Sequence, residues 1–185
     1  MDAAKRKQQA RWLRVSRKVH RVTGLLLFIF FLVMGITGLL LGWKKQTGLL
    51  PATAKGTSVN VAEWLPVDSL KKRAHAYVQD SISADLSLQL DRIDFRPQKG
   101  SVKFLYADHY WEVQLDCTNG QLLHIGRRNS DIIEQIHDGS LADRAAGTGN
   151  DGIKLFYTTV MGLGMVVFSL TGFWLWYGPK RMRKH

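Results

Sequence analysis

From Val22 to Trp43, and again from Leu155 to Gly178, the chain carries no charged residue. As a helix, each run is long enough to cross about 30 Å of hydrocarbon, and an uncharged apolar stretch of that length has few other stable destinations. Two transmembrane helices are therefore expected. A mean hydropathy of −0.12 hides them, because the rest of the chain is polar. The first run is basic in front and apolar behind, as in a signal peptide, but it is longer than the roughly 7 to 15 apolar residues usual there. It ends in Gly42, Trp43, Lys44 and Lys45 with no small-residue cleavage site, so it reads as a retained helix.

The formal net charge of +11 is unevenly placed. Met1 to Arg21 holds eight Lys or Arg against one acid, Lys180 to His185 four against none, and Lys44 to Lys154 fourteen of each sign. The excess of positive charge on both tails puts them in the cytoplasm and the middle outside. The expected organisation is a basic cytoplasmic tail (1–21), transmembrane helix 1 (22–43), an extracytoplasmic domain with linkers (44–152), transmembrane helix 2 (153–178) and a second basic cytoplasmic tail (179–185). Basic residues so placed contact anionic lipid, which removes the case for a nucleic-acid partner.

Between the helices the pattern changes. Leu70, Ala74 and Tyr77 or Val78 recur at helical spacing behind Pro66 and Asp68 or Ser69, which predicts a helix over about Val67 to Val78. The stretches "LDRIDFRPQKG", "SVKFLYADHYWEVQLD" and "GQLLHIG" alternate and are rich in β-branched and aromatic residues, which predicts three or four antiparallel strands. Asn119-Gly120 predicts a hairpin with a type I′ turn, in which both central residues have positive φ. "NSDIIEQIHDGSLAD" reads as helical, and "AAGTGNDG" as a flexible connector. The fold class expected is a membrane protein of α+β type, with two transmembrane helices flanking a small extracytoplasmic helix-plus-antiparallel-sheet domain.

One cysteine, Cys117, permits no internal bridge, and neither CxxC nor CxxCH is present, so covalent c-type haem is excluded. Cys117 reads as a small buried or half-buried strand residue or as half of an intermolecular disulfide. The sequence holds no GxSxG, HExxH, Walker A or GxGxxG motif, and "GTGNDG" follows no strand and cannot cradle a dinucleotide.

The order of "HRVTGLLLFIFFLVMGITGLLLGW", "YWEVQLDCTNGQLL", "IHDGSL" and "LTGFWLWYGPKR" resembles the PepSY-associated transmembrane family in its short, two-helix form, over about His20 to Arg181. The resemblance implies a bacterial inner-membrane protein with a PepSY-like outer domain. Larger members have more helices, and several are implicated as haem-containing reductases of ferric siderophores. This chain departs from them in having two spans.

A b-type haem takes two axial ligands, commonly neutral imidazoles on membrane helices, and ionisable residues at a bilayer are functional candidates. The candidates are His20 and His137, with Arg21 and Arg17 available for propionates. His20 and His137 lie at opposite membrane borders and cannot share one iron within a chain. A homodimer, or pairing with a homologous membrane subunit, would let two copies of each meet. Each residue also has a plainer reading. His20 could be an interfacial residue or contact anionic lipid, His137 a helix-terminal or turn residue, and the two arginines positive-inside residues.

His20, Gly24, Phe28, Phe31, Gly35, Gly38 and Gly42 form one stripe, and Thr158, Gly162, Met165, Ser169, Gly172 and Trp176 another. Such stripes suit close helix packing or a flat macrocycle. Trp174, Trp176 and Tyr177 read as an interfacial aromatic belt. His75, His109 and His124 lack metal-ligand spacing and read as surface or packing residues.

Two functions follow. One is a haem-b electron-transfer protein or subunit, acting as a dimer and linked to reduction of an extracytoplasmic acceptor such as a ferric siderophore, as part of a transmembrane ferric or siderophore reductase-type oxidoreductase. The other is a non-enzymatic anchored interaction, assembly or protease-regulating protein that uses an exposed sheet face, for instance Tyr110 or Arg96, to bind a partner.

Overall fold

The computed structural model describes residues 3–183. Two compact units divide the chain: Leu40–Glu134 forms one, and the two ends, up to Leu39 and from Gln135, form the other.

In the unit from Leu40 to Glu134, α2 (Val67–Ser81) places Leu70, Ala74 and Val78 on one face, each 0% exposed. The helical spacing thus resolves in favour of Val78 over Tyr77. Burying a Leu or Val fully is worth about 1.5–3 kcal/mol each, so this face accounts for the helix holding to the sheet. Four strands, β1 (Leu90–Arg96), β2 (Ser101–Tyr106), β3 (Trp111–Asp116) and β4 (Leu122–Arg127), form an antiparallel meander in the order β1-β2-β3-β4. Val102, Phe104, Tyr106, Val113 and Leu115 alternate onto one face and, with Cys117, build the core with Leu70, Ala74 and Val78.

The opposite face is polar and also buried. Glu112 accepts from Lys103 at 3.0 Å and from Arg128 at 2.8 Å, and Arg128 reaches Asp131 at 2.8 Å. Gln114 donates to the same Glu112 at 2.6 Å. All of β2 is buried on both faces, so the exposed sheet face expected for partner binding does not exist there. Tyr110 lies in the β2–β3 turn with φ 59°, not on a sheet face, and Arg96 pairs with Asp94 along the edge strand β1.

The segment 46–60, which has no periodicity, is an ordered strap. Gln114 brackets it, with Nε2 donating to Ala52 O at 2.8 Å and Oε1 accepting from Ala54 N at 2.7 Å. Ser101 Oγ donates to Ala54 O at 2.9 Å, and the Thr57 amide donates to Asp116 at 2.8 Å. Gly56 and Gly100, the latter at φ 61°, let strap and β1–β2 turn cross: a Cβ on Gly56 would collide with Gly100 O, and one on Gly100 with Ser58 O.

The β3–β4 hairpin forms where Asn119-Gly120 predicts it, but the turn differs. Only Gly120 has positive φ, at 70°, so it is not type I′. The loop is longer, closed by Gly120 N to Asp116 O at 2.9 Å and Asp116 N to Gln121 O at 3.0 Å. The Asp116 carboxylate accepts from the Thr118 amide at 2.8 Å and occupies the inside of the turn.

In the other unit, α1 (Ala3–Gly42) and α5 (Gly152–Arg183) are both long and apolar enough to cross a membrane. Each continues into its basic flank. The N-terminal flank is rich in Ala, Gln, Lys and Arg, all strong helix formers, so the helix starts well before the apolar run. "NSDIIEQIHDGSLAD" divides into α3 (Asn129–Asp138) and α4 (Ser140–Ala146) at Gly139, whose φ of 80° ends the first helix. α3 contributes its residues from Gln135 onward to this unit.

Candidate functional site

The two spans meet through small residues facing large ones. A Cβ on Gly178 would lie 2.7 Å from Leu13, one on Gly172 3.3 Å from His20, and one on Gly24 2.9 Å from Phe168, while Gly164 abuts Leu27. As numbers rise along α1 they fall in step along α5, the register of an antiparallel helix pair. Of the two sequence stripes, His20, Gly24 and Phe31 on α1 and Gly172 on α5 serve this packing, while Gly38 faces His137 of α3. Gly35, Gly42 and Gly162 have nothing within 4 Å of a Cβ position, and Met165 and Trp176 are exposed. Apart from Gly172, the second stripe as read from the sequence is thus not the contact face; Gly164, Phe168 and Thr171 meet α1 instead, and Met161 is 2% exposed.

His20 is held on three sides. Its ring stacks on Phe168 with centroids 3.9 Å apart, its Cε1 faces Gly172, and its Nδ1 lies 2.9 Å from Thr171 Oγ1. Arg17 and Arg21 flank it on α1, exposed and with no ion pair among the described residues.

His137 occupies the last turn of α3 and meets a Thr-Gly pair on α1, without the stacked ring that His20 has. Its Nδ1 lies 2.8 Å from Thr37 Oγ1, and its Cε1 lies 3.4 Å from a Cβ placed on Gly38. The α3–α4–α5 junction fixes its position. Asp138 accepts from the Ser140 amide and pairs with Lys154 at 3.0 Å; Asp143 accepts from the amides of Ile153 and Lys154, capping α5; Gly139 passes so near Tyr157 that a Cβ would lie 2.7 Å from the ring. A groove of about 510 Å³ opens one turn along α1 from Thr37, lined by Ile29, Phe30, Val33, Ile136, Leu141 and Tyr157. Its apolar walls suit hydrocarbon and exclude a polar substrate.

His20 and Thr37 are seventeen residues apart on one helix, which at 1.5 Å per residue separates the two histidine sites by about 25 Å. One iron cannot bridge them. For neither ring is a hydrogen bond to Nε2 found among the described residues, so each histidine offers one free nitrogen. Each site thus supplies one imidazole nitrogen, half of what a bis-imidazole cofactor takes, and no cluster of three or more metal-ligating side chains occurs among the described residues.

Sequence reasoning singled out both histidines and overlooked Thr37 and Thr171. The available signal was the Thr-Gly dipeptide in "ITGLLLGW" and "LTGFWLWYG", although the first span holds a second one at Thr23-Gly24. The other described histidines pack: His75 sits edge-on to Tyr106, His109 stacks on Tyr106 and bonds Ser87 O at 2.9 Å, and His124 lies against Gly126. Trp176 lies under the Lys180 ammonium at 3.8 Å, and Tyr177 stacks on Phe173.

No curated protein matches the chain. The model of the PepSY-associated TM region matches residues 17–185, which takes in both spans, the sheet and both histidine sites, and the chain belongs to that family.

Proposed function

We propose that the chain is a haem-b-binding electron-transfer protein or subunit of the bacterial inner membrane, with both termini cytoplasmic and the sheet unit extracytoplasmic. The observation that carries this reading is the pair of histidines at opposite ends of the helix pair, each packed against a glycine and each with Nε2 free of hydrogen bonds. Ionisable residues beside a bilayer are functional candidates by default. His20 would hold one haem at the cytoplasmic border and His137 one at the outer border, with Arg17 and Arg21 available to propionates near His20. Haem held by two imidazoles carries a single electron at a time. Because Nδ1 of each ring is turned to a threonine of its own chain, the free Nε2 points away from that threonine. Because the two sites are about 25 Å apart on one chain, a second imidazole for either haem would have to come from a second copy of the chain or a homologous subunit. Electrons would pass outward to an extracytoplasmic acceptor such as a ferric siderophore.

The test is haem content of full-length chain purified in detergent from cells supplied with ample haem. His20→Ala and His137→Ala should each lose about half the Soret absorbance, since each removes one of two bis-imidazole sites. Wild-type protein without a Soret band would overturn the reading.

A further inference from the structure

The two histidine sites repeat one arrangement. In each, a threonine is followed by a glycine; the threonine faces imidazole Nδ1, and the glycine gives room to Cε1. The threonines also have the same second bond. Thr37 Oγ1 lies 2.7 Å from Val33 O, and Thr171 Oγ1 lies 2.7 Å from Val167 O, in both cases the carbonyl four residues back. A hydroxyl has one proton, and in both sites the carbonyl, which can only accept, is nearer to Oγ1 than Nδ1 is, which favours donation to the carbonyl. With the proton so placed, Oγ1 is left as an acceptor and Nδ1 is the donor.

We infer that Thr37 and Thr171 are positioning residues that hold His137 and His20 in the Nδ1–H tautomer, so that the lone pair of each neutral ring is on Nε2. The inference rests on the haem reading for its purpose and on the hydrogen bonds alone for its geometry. Threonine's donation to the helix carbonyl polarises Oγ1 and strengthens its pull on the Nδ1 proton. The same bond fixes the rotation of the ring, and the adjacent glycine removes the Cβ that would push Cε1 away. A ligand imidazole whose other nitrogen donates a hydrogen bond is oriented and made more basic, the usual role of a group behind a metal-binding histidine. That the arrangement occurs twice, on different helices and at opposite ends of the pair, separates it from a chance contact.

The test reads the tautomer in the haem-free full-length chain, labelled with 15N-histidine in detergent, by long-range proton–nitrogen correlation. Wild type should show a protonated Nδ1 and an unprotonated Nε2 for both His20 and His137. Thr171→Val should convert His20 to the Nε2–H form or an average of the two while leaving His137 unchanged, and Thr37→Val should do the reverse. Thr171→Ser, which keeps the oxygen and loses the methyl, should retain the wild-type pattern. In haem-loaded protein, Thr171→Val should weaken haem binding about 10- to 100-fold, with recovery in Thr171→Ser. An Nε2–H form in wild type, or a His20 pattern unaffected by Thr171→Val, would overturn the inference. So would a Thr171→Ser chain that behaves as Thr171→Val, because the methyl and not the oxygen would then be acting. Failure of the haem reading looks different: no Soret band, with the tautomer pattern intact.

Discussion

His20 Nδ1 and Thr171 Oγ1 lie 2.9 Å apart, a hydrogen bond between residues 151 positions apart that joins the first span to the last. The contact depends on the turn above it, where Phe168, the ring stacked on His20, fits against Gly24.

Gly24→Val should therefore disturb both helix packing and the histidine. A Cβ there begins 2.9 Å from Phe168 Cε2, and a rigid ring sandwiched against His20 cannot swing clear. Overpacking of this kind costs about 1–3 kcal/mol, readable as a lower Tm in detergent. Gly35→Ala, with nothing within 4 Å of its Cβ position, should stay within about 0.5 kcal/mol of wild type. Equal losses in the two variants would contradict the contact register.

Glu112 is 0% exposed and is the acceptor for Lys103, Arg128 and Gln114. Glu112→Ala leaves two cations buried without their shared carboxylate, and breaking a buried pair in this way costs about 3–5 kcal/mol. Pulse proteolysis of the sheet unit in the full-length chain measures it. Asp91→Ala removes only an exposed partner of Arg92 and should cost less than about 1 kcal/mol. A Glu112→Ala chain as protease-resistant as wild type would show that the network is not needed for the sheet to hold.

Much of this was readable in the residues, and the exceptions have physical causes. The spans follow from uninterrupted apolar runs, and α2 from Leu70, Ala74 and Val78 at helical spacing. The strap over the polar sheet face has no periodicity to read, since its order comes from Gln114, Asp116 and the crossing at Gly56 and Gly100, all distant in sequence. The turn at Asn119-Gly120 was legible as a hairpin, but its type is decided by the Asp116 carboxylate inside the loop. Thr37 and Thr171 were not legible as site residues because a threonine bonding its own helix is ordinary in a span. Only a histidine 100 or 151 positions away distinguishes them.

Asp116 ties the strap to the β3–β4 turn, and its ionisation makes the sheet unit acid-sensitive. Burial raises its pKa, but hydrogen bonds from the Thr57 hydroxyl and from the amides of Thr118, Thr57 and Asn119 outweigh that and hold it below the usual carboxylate value. A carboxyl lowered in the folded state adds stability that is complete above its unfolded pKa of about 3.9 and is lost as pH falls through the folded value. Tm measured from about pH 7 downward should fall on the acid side in wild type and more gently in Asp116→Asn. Asp138 and Asp143, also lowered, leave a residual slope. Parallel acid limbs in the two proteins would contradict this role.

Cys117 is 0% exposed, and burial together with the neighbouring Asp116 carboxylate pushes its thiol up to about 11. A covered, protonated thiol is a poor nucleophile. The native chain should resist maleimide and run as a monomer on a non-reducing denaturing gel, then label fully once unfolded. Rapid labelling of native protein, or a disulfide-linked dimer, would restore the intermolecular-bridge reading.

The central claim is that His20 and His137 are haem ligands, and the oxidised and dithionite-reduced absorbance spectra of the purified full-length chain test it most directly. Two bis-imidazole sites shared between two copies correspond to about one haem per chain, with a Soret band that shifts on reduction and sharp α and β bands in the reduced form. A chain made with ample haem that is colourless, or whose Soret band survives intact in the His20→Ala, His137→Ala double variant, would contradict it.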